Sequence, residues 1–208
     1  MQPEHQSFTL ANQAGYIWTW WKNDPLPLLP PLPNFSAEEA TDLATLATLM
    51  ELSPTEVTHL LQQSHRPYLA HLGTQPVAVG WSATGRAEFG GGRANFRLPP
   101  LNRYLYYFIT LPTHRGLGIY PHLLQHILTQ ESRENDRFWI VHQLENIASQ
   151  RGIHKAGFRI ACHVHHLPNE QLALLLPSSE DPGAALERAH AASVVFRLPL
   201  IEESSGHD

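Results

Sequence analysis

The stretch that decides the fold runs from residue 108 to residue 128 and reads FITLPTHRGLGIYPHLLQHIL. It begins with apolar and β-branched residues, as the end of a strand does. An Arg-Gly-x-Gly turn follows, and the apolar residues after that turn recur with the period of a helix. These apolar positions are Tyr120, Leu123, Leu124, Ile127 and Leu128. The sequence therefore predicts a strand, a tight turn and an amphipathic helix in direct succession.

The turn has the composition of an anion-binding site. The first amides of a helix have no partner inside the helix, and the helix dipole favours negative charge beside them. Gly116 and Gly118 let the backbone approach a ligand, and Arg115 adds a fixed positive charge. Glycines also occur in such turns for geometry alone, so these residues favour phosphate binding and a purely structural role about equally. The turn matches neither the nucleotide-binding P-loop nor the dinucleotide fingerprint.

Composition narrows the class of protein. The chain has 208 residues, of which 42% are hydrophobic and 16% charged, as in a globular protein with a sizeable core. A net charge of -5 argues against a dedicated nucleic-acid binder. The single cysteine, Cys162, suits a reducing compartment. No apolar run has membrane length, and residues 1–10 lack a secretion-signal pattern. We therefore expect a cytoplasmic location, no membrane and no nucleic-acid partner.

The remaining chain alternates strand and helix signals in the order β, α, α, β, β, β, α, β, α, β, β. This order predicts an α+β fold, a single domain over residues 1–208, with a mixed central sheet flanked by about four helices. Capping-box spacing after Ser36 and after Ser53 predicts two helix starts. Residues 192–200 are apolar and β-branched and predict the last strand.

Three segments have no regular pattern. Residues 24–35 are rich in proline and predict a stiff, extended connection. That connection is either a ligand for an aromatic-grooved module or a loop lying on its own domain, and we favour the loop. Residues 85–102 are rich in glycine and predict a mobile insertion with room for a short strand. Residues 201–208 predict a flexible tail.

Two motifs resemble those of a known family. PTHRGLGIYPHLLQHIL, from residue 112, resembles motif A of the GNAT superfamily of acetyl-CoA-dependent N-acetyltransferases, whose pattern is Arg/Gln-x-x-Gly-x-Gly/Ala. ENIASQRGIHKAGFRI, from residue 145, resembles motif B of that superfamily, an Asn, a small residue and then Lys-x-Gly-Phe. The motifs follow in the family's order and at its spacing. The resemblance implies a GNAT-like fold and transfer of an acetyl group from acetyl-CoA to a primary amine of a small molecule or peptide.

The resemblance also implies which residues contact coenzyme A. The end of the strand would pair with the pantetheine amides, the turn would hold the pyrophosphate, and two polar residues of motif B would flank the pantetheine arm. In chain order these residues are Ile109, Thr110, Leu111, Arg115, Gly116, Leu117, Gly118, Ile119, Tyr120, Asn146 and Ser149. Asn146 also suits an ordinary helix N-cap, and the two roles are compatible.

The chain departs from the family pattern at two positions. Tyr120 stands where the family has glycine or alanine, but the helical period places its ring in the buried stripe, so that only its amide would face the phosphate. Ile153 stands where many members have a tyrosine that protonates the leaving thiolate. The resemblance therefore supports acyl-CoA binding better than it supports any particular proton chemistry.

Position alone selects the candidate catalytic residues. His142 ends the strand before motif B, Tyr106 lies on a tyrosine-rich strand, and Glu145 and Glu88 are further possible bases. His163, with His165 and His166 nearby, makes a metal site conceivable. No second group with ligand spacing accompanies them, so we expect no metal.

Several functions stay open at this point. A transferase of the same fold with a longer acyl-CoA is one alternative. A regulatory module that binds coenzyme A without catalysis is another, and Ile153 favours it. A metal-binding protein is a distant third. The sequence does not identify the amine acceptor, and a homodimer is one option for the assembly.

Overall fold

The computed structural model describes residues 12–168 and 171–201. Within them lie one nine-stranded sheet, a separate two-stranded hairpin and five α-helices. The helices are α1 Leu43–Met50, α2 Pro54–Gln62, α3 Ile119–Glu131, α4 Ile147–Lys155 and α5 Pro182–Phe196. The strands are β1 Gln13–Trp21, β2 Phe35–Glu39, β3 Arg66–Leu72, β4 Gln75–Ala83, β5 Arg86–Phe89, β6 Ala94–Arg97, β7 Asn102–Thr110, β8 Arg137–Gln143, β9 Arg159–His166, β10 Leu172–Leu175 and β11 Leu200–Ile201.

The large sheet is mixed, as predicted. Its strand order is β11-β10-β9-β1-β8-β7-β4-β3-β2. The β7–β8 and β10–β11 neighbours are parallel, and the other neighbours are antiparallel. The α+β fold class is therefore confirmed, with five helices in the described residues where about four were expected. The predicted tail, apart from Ile201 in β11, lies outside the described residues.

The two faces of the sheet carry different layers. Helices α3 and α4 cover one face through the predicted apolar stripe, in which Leu123, Leu124, Ile127 and Leu128 are buried. On the other face, α1 and α2 pack over the β4 end of the sheet, around Trp81. Helix α5 and the β5–β6 hairpin cover the β8–β1–β9 part of that same face. The sheet therefore separates two layers, and its strands reach both.

The helix predicted to start at Ser36 is wrong. Residues 35–39 form β2, an edge strand that pairs with β3. The first helix begins instead at Leu43, where Asp42 Oδ1 accepts a hydrogen bond of 2.9 Å from the Ala44 amide. The edge of β3 supplies backbone partners for residues 35–39, and this pairing overrides the capping-box spacing. The capping box of Ser53 with Glu56 is present at the start of α2.

The strand predicted over residues 192–200 is also wrong. Helix α5 continues through Phe196, and only Leu200 and Ile201 form a short strand. The apolar residues of this segment follow a helical period and not the period of a strand. One face of α5 is buried, whereas Val194, which lies off that face, is 74% exposed. Asp181 caps this helix through its side chain, and Pro182 occupies the first turn.

The two internal irregular segments both pack on the rest of the chain. The proline-rich segment lies against the helices, where Gln125 Nε2 donates a 2.8 Å hydrogen bond to the Pro27 carbonyl. The glycine-rich insertion is not simply a mobile loop, because it folds into the β5–β6 hairpin. Phe89 and Phe96 of this hairpin pack on Phe196 with ring centroids 5.6 and 4.8 Å away. Its glycine turn lies beside Leu172 of β10, and the base of the hairpin meets His65 at the Arg86 carbonyl.

Among the described residues, no helix combines the length and the apolar character needed to cross a lipid bilayer.

Candidate active site

The sheet opens into a fork between β7 and β8. The two strands pair only at Asn102–Arg137, Arg103–Phe138 and Tyr104–Trp139. Beyond these pairs β7 stays paired with β4 as far as Thr110, and β8 stays paired with β1 as far as Gln143. In the described chain, the facing edges of β7 and β8 therefore have no strand partner beyond the last pair. Backbone N–H and C=O groups along these edges are available to a ligand in the fork, and only at their ends do the Thr110 and Gln143 carbonyls already accept side-chain hydrogen bonds.

A β-bulge in β7 shapes one side of the fork. Ile109 pairs with Val79 and Tyr106 pairs with Trp81, so two residues of β7 lie opposite one residue of β4. Tyr107 has the left-handed φ of 56° that marks the bulge. Residues two apart on a regular strand share a face. The bulge instead turns Phe108 towards the α3 layer and Tyr106 towards the opposite layer.

A cavity of about 620 Å³ lies at the mouth of the fork. It is bounded by the end of β7, the glycine turn, the start of α3 and one face of α4. All predicted cofactor contacts line it except Leu111 and Leu117. Those that line it are Ile109, Thr110, Arg115, Gly116, Gly118, Ile119, Tyr120, Asn146 and Ser149. Leu117 is 51% exposed, and the Leu111 amide bonds the Val77 carbonyl at 2.9 Å.

The glycine turn leaves the start of α3 open to a ligand. Gly116 and Gly118 have φ values of 81° and 85°, in the region that favours glycine. Gly118 is the N-cap residue of α3, and in the described structure no side chain caps this helix. The first amides of α3 therefore remain available as donors to an anion.

The charged side chains around the cavity are basic. Arg115, Arg151 and Lys155 line it together with His114, and no Asp or Glu of the described residues is among the lining residues. Arg115 is positioned by a hydrogen bond of 3.2 Å from its Nε to the Thr110 carbonyl. This concentration of positive charge attracts an anionic ligand such as a phosphate.

Tyr120 lies at the edge of the buried stripe. Ile119 beside it is 1% exposed, and Tyr120 is partly buried and packs against the same core cluster as the rest of the stripe. Its ring lies between α3 and α4, 5.0 Å from the Phe108 ring by centroids. On the α4 side it covers Gly152, where an added Cβ would lie 2.4 Å from Tyr120 Cδ1. Burial raises the pKa of the Tyr120 hydroxyl. The ring therefore forms part of the cavity wall.

The start of α4 combines a helix cap with the cavity wall. Asn146 Oδ1 accepts a 3.0 Å hydrogen bond from the Ser149 amide and caps the helix, and both residues line the cavity. Ile153 is fully buried in the core beneath α4. His154 is exposed, with its ring centroid 6.4 Å from that of Trp18. Since adjacent helix residues point about 100° apart, His154 does not replace a side chain at position 153.

The structure does not bring the three predicted catalytic residues together. His142 is 8% exposed and lies on the α4 side of the sheet, stacked at 6.0 Å on Trp18. Its Nδ1 bonds the Gln143 carbonyl at 2.8 Å, its Nε2 has no hydrogen-bond partner in the described structure, and burial lowers its pKa. Tyr106 lies on the opposite side, and Glu145 is exposed in the turn before α4.

One residue near Tyr106 was not among the candidate catalytic residues predicted from the sequence. His65, 6% exposed at the junction of α2 and β3, has its Nδ1 2.6 Å from Tyr106 Oη. His65 Nε2 lies 3.3 Å from the Arg86 carbonyl. Burial lowers the pKa of His65 and raises that of Tyr106. No local motif marks His65, because its partner lies 41 residues away in the chain.

The histidines of β9 form no evident metal site. In the part of the chain that the structure describes, no three His, Cys, Asp or Glu side chains are grouped so that they could hold a metal ion. Cys162 is buried on this strand, and burial raises the pKa of its thiol to about 12.

Comparison with known proteins gives similarity at the level of structure. No protein-family model and no curated protein sequence matches the chain. A GNAT-family acetyltransferase from Colwellia psychrerythraea aligns with a TM-score of 0.49 and 14% identity, over 74% of this chain and 54% of that protein. The chain thus spans about half the length of that protein.

Two further solved structures are similar over a shorter part of this chain. A putative acetyltransferase from Salmonella typhimurium, solved with its cofactor acetyl-CoA, aligns with a TM-score of 0.46 and 15% identity, over 61% of this chain and 80% of that one. An aminoglycoside acetyltransferase from an uncultured soil metagenomic sample, in complex with sisomicin, aligns with a TM-score of 0.45 and 14% identity, over 59% of this chain and 87% of that one. At these identities the similarity of this chain to GNAT-family acetyltransferases is one of fold.

Proposed function

We propose that this protein is an acyl-CoA-dependent N-acyltransferase that transfers an acetyl group to a primary amine of a small molecule or peptide. The observation that carries the proposal is the cavity at the fork. Residues from both GNAT-like motifs line this single cavity, next to an open strand edge and the uncapped start of α3.

The side chains and amides around the cavity suit the parts of coenzyme A. The amides from Gly116 to Tyr120, with Arg115, would hold the pyrophosphate. The free edge of β7 at Ile109 and Thr110 would pair with the pantetheine amides, and Asn146 with Ser149 would flank the same arm. Arg151 and Lys155 add positive charge that would attract the phosphate group of coenzyme A that is not part of the pyrophosphate.

Acetyl-CoA supplies an activated thioester, and the chain supplies position and polarity. A thioester held in the fork lies beside unpaired backbone N–H groups of β7, which are suited to stabilise charge on its carbonyl oxygen. Holding both substrates in one orientation supplies much of the rate enhancement in reactions of this type. His142 and Tyr106 are candidate bases on the two sides of the sheet. Glu145, which is exposed, is the third candidate.

A second function is favoured by one observation. Ile153 is fully buried, so the position at which the family often has an acid offers none to the cavity. A regulatory module that binds coenzyme A without catalysis needs no such acid. Thiols have a pKa of about 8.5 and leave readily near neutral pH, so the missing acid does not rule against catalysis.

The experiment measures coenzyme A binding and thiol release separately. Calorimetry with coenzyme A tests the cavity, with Arg115→Ala expected to weaken binding. Release of free thiol from acetyl-CoA and from longer acyl-CoAs, with a panel of primary amines, tests transfer and chain length. Binding together with turnover supports the transferase, and binding without turnover supports the regulatory module. Failure to bind coenzyme A contradicts both.

A further inference from the structure

His65 and Tyr106, called here the dyad, lie on the sheet face opposite the cofactor cavity. Tyr106 packs against the layer formed by α1 and α2 and also against the layer formed by α5 and the hairpin. It therefore stands at the seam between these two layers. His65 follows α2 directly in the chain and meets the base of the hairpin at the Arg86 carbonyl.

The hydrogen bonds of the dyad determine which of its atoms are donors and which are acceptors. A carbonyl oxygen only accepts, so His65 Nε2 carries the hydrogen that points to the Arg86 carbonyl, 3.3 Å away. His65 Nδ1 is then an acceptor, and the Tyr106 hydroxyl donates to it at 2.6 Å. Both ring nitrogens thus have uncharged partners. The other titratable groups facing the dyad are Tyr104, stacked on Tyr106 at 5.7 Å, Tyr107, whose ring centroid lies 6.5 Å from that of Tyr106, and His59 of α2, with Arg86 at the base of the hairpin.

The dyad lies level with the inner end of the fork. The fork opens at Thr110 and closes at the Tyr104–Trp139 pair. A ligand whose phosphates sit at the glycine turn enters from the open end, so its far end reaches residues 105–108. Tyr106 is four residues from Thr110, about 13 Å along the strand at ~3.3 Å per residue. The bulge at Tyr107 turns the Tyr106 side chain to the sheet face opposite the cavity, where it is partly exposed at the seam between the two layers.

We propose that Tyr106 and His65 form a proton relay that serves an acceptor carrying an α-amino group, an inference that rests on the proposed transferase function. The nitrogen lone pair of the neutral amine attacks the thioester carbonyl carbon and forms the C–N bond. The nitrogen loses one proton to Tyr106 Oη while Tyr106 passes its own proton to His65 Nδ1. The C–S bond breaks, and the sulfur leaves as the coenzyme A thiolate. The imidazolium then returns its proton through water, and the thiolate becomes the free thiol.

The surroundings of the dyad select the class of acceptor. The dyad offers an uncharged phenol backed by an uncharged imidazole, and neither ring nitrogen is paired with a carboxylate that would hold an ammonium group. The acceptor must therefore react as the neutral amine. At pH 7.4 a lysine ε-amine, with a pKa of about 10.4, is neutral in roughly one molecule in a thousand. An α-amine, with a pKa of about 7.7–8.0, is neutral in roughly one in four.

The test compares variants of the dyad with two matched acceptors. The acceptors are lysine amide blocked on its ε-amine and lysine amide blocked on its α-amine. Tyr106→Phe and His65→Gln should each lower kcat by about 100-fold or more, the usual contribution of general base catalysis. The double variant should be little slower than either single variant, because both remove one relay. The coenzyme A affinity of Tyr106→Phe should stay close to that of the wild type, and its melting temperature should fall by only a few degrees, because the change leaves the buried His65 Nδ1 without its donor.

The pH profile separates a proton-accepting role from a structural one. Protonated His65 cannot accept a proton, and burial lowers its pKa from 6.5. With the neutral form of the amine kept saturating at each pH, the kcat of the wild type should therefore fall as the pH drops through a value below 6.5. His65→Gln should remove this limb. His59→Gln, at an exposed histidine of α2, should keep it. At pH 7.4, kcat/KM for the acceptor with the free α-amine should exceed that for the acceptor with the free ε-amine by at least about 10-fold, because a larger fraction of the α-amine is neutral.

The possible results distinguish the relay, the acceptor class and the transferase function from one another. Unchanged turnover in Tyr106→Phe and His65→Gln overturns the relay and leaves the transferase function standing. A pH limb that disappears in His142→Gln and survives in His65→Gln assigns the base to His142 and also overturns the relay. Faster reaction of the ε-amine overturns the acceptor class. Tight coenzyme A binding by the wild type, without turnover of any amine, overturns both the transfer reaction and the relay.

Discussion

Replacing Gly152 by alanine tests how tightly the Tyr120 ring is held between α3 and α4. In a helix interior this change ordinarily stabilises a protein by about 0.8–1 kcal/mol. At Gly152 the new Cβ would lie 2.4 Å from Cδ1 and 3.0 Å from Cε1 of Tyr120. The ring is supported on its other side by Phe108, 5.0 Å away by centroids. It therefore has little room to move, and overpacking of this kind costs about 1–3 kcal/mol.

The cost of overpacking, about 2 kcal/mol at the middle of its range, exceeds the gain in helix propensity of about 1 kcal/mol. Gly152→Ala should therefore destabilise the protein by about 1 kcal/mol. For a chain of this length, that corresponds to a melting temperature lower by about 2–4 °C. In a Tyr120→Ala background the obstacle is gone, so the same change should stabilise by about 1 kcal/mol. Urea unfolding of the wild type, both single variants and the double variant measures the coupling between the two sites.

A second glycine provides the control. At Gly183, in the first turn of α5, an added Cβ would lie 3.6 Å from its nearest neighbouring atom, which is an ordinary contact. Gly183→Ala should therefore be neutral or stabilising in both backgrounds. If Gly152→Ala stabilises the wild type as much as it stabilises Tyr120→Ala, the two side chains do not compete for space. The placement of the Tyr120 ring against α4 is then refuted.

Three further predictions concern binding, reactivity and catalysis. Gly118→Glu should abolish coenzyme A binding in calorimetry, because it strains a backbone with φ of 85° and places a negative charge at the anion site; wild-type affinity would locate the site elsewhere. At pH 8, iodoacetamide should label Cys162 far more slowly in the native protein than in urea, since burial raises its pKa to about 12; equal rates would contradict this burial. His154→Ala should retain turnover within a few-fold, because His154 is exposed and points away from the place of Ile153. A loss of about 100-fold, the size of a general-acid effect, would show that His154 reaches the thiol.

Local sequence determined the elements whose stabilising contacts are close in the chain. The Arg-Gly-x-Gly turn, the apolar stripe of α3 and the capping box at Ser53 are built from residues a few positions apart, and each appears where the pattern predicts it. The same patterns failed at Ser36, where a neighbouring strand supplied the partners, and at Val194, where an apolar run was helical. Asp181 followed by Pro182 is the local signal that marks the helix start before that run.

The residues proposed to contact the cofactor could be named from the sequence because both motifs carry them on short segments, and those segments lie around one cavity. The arrangement on the opposite face of the sheet was not predictable from sequence. The fork exists because β7 and β8 stop pairing after Tyr104, and the bulge at Tyr107 turns two aromatic side chains to opposite faces. The bond between His65 and Tyr106 joins residues 41 positions apart. Such contacts depend on strand pairing and on register, which are non-local, so only the tertiary structure decides them.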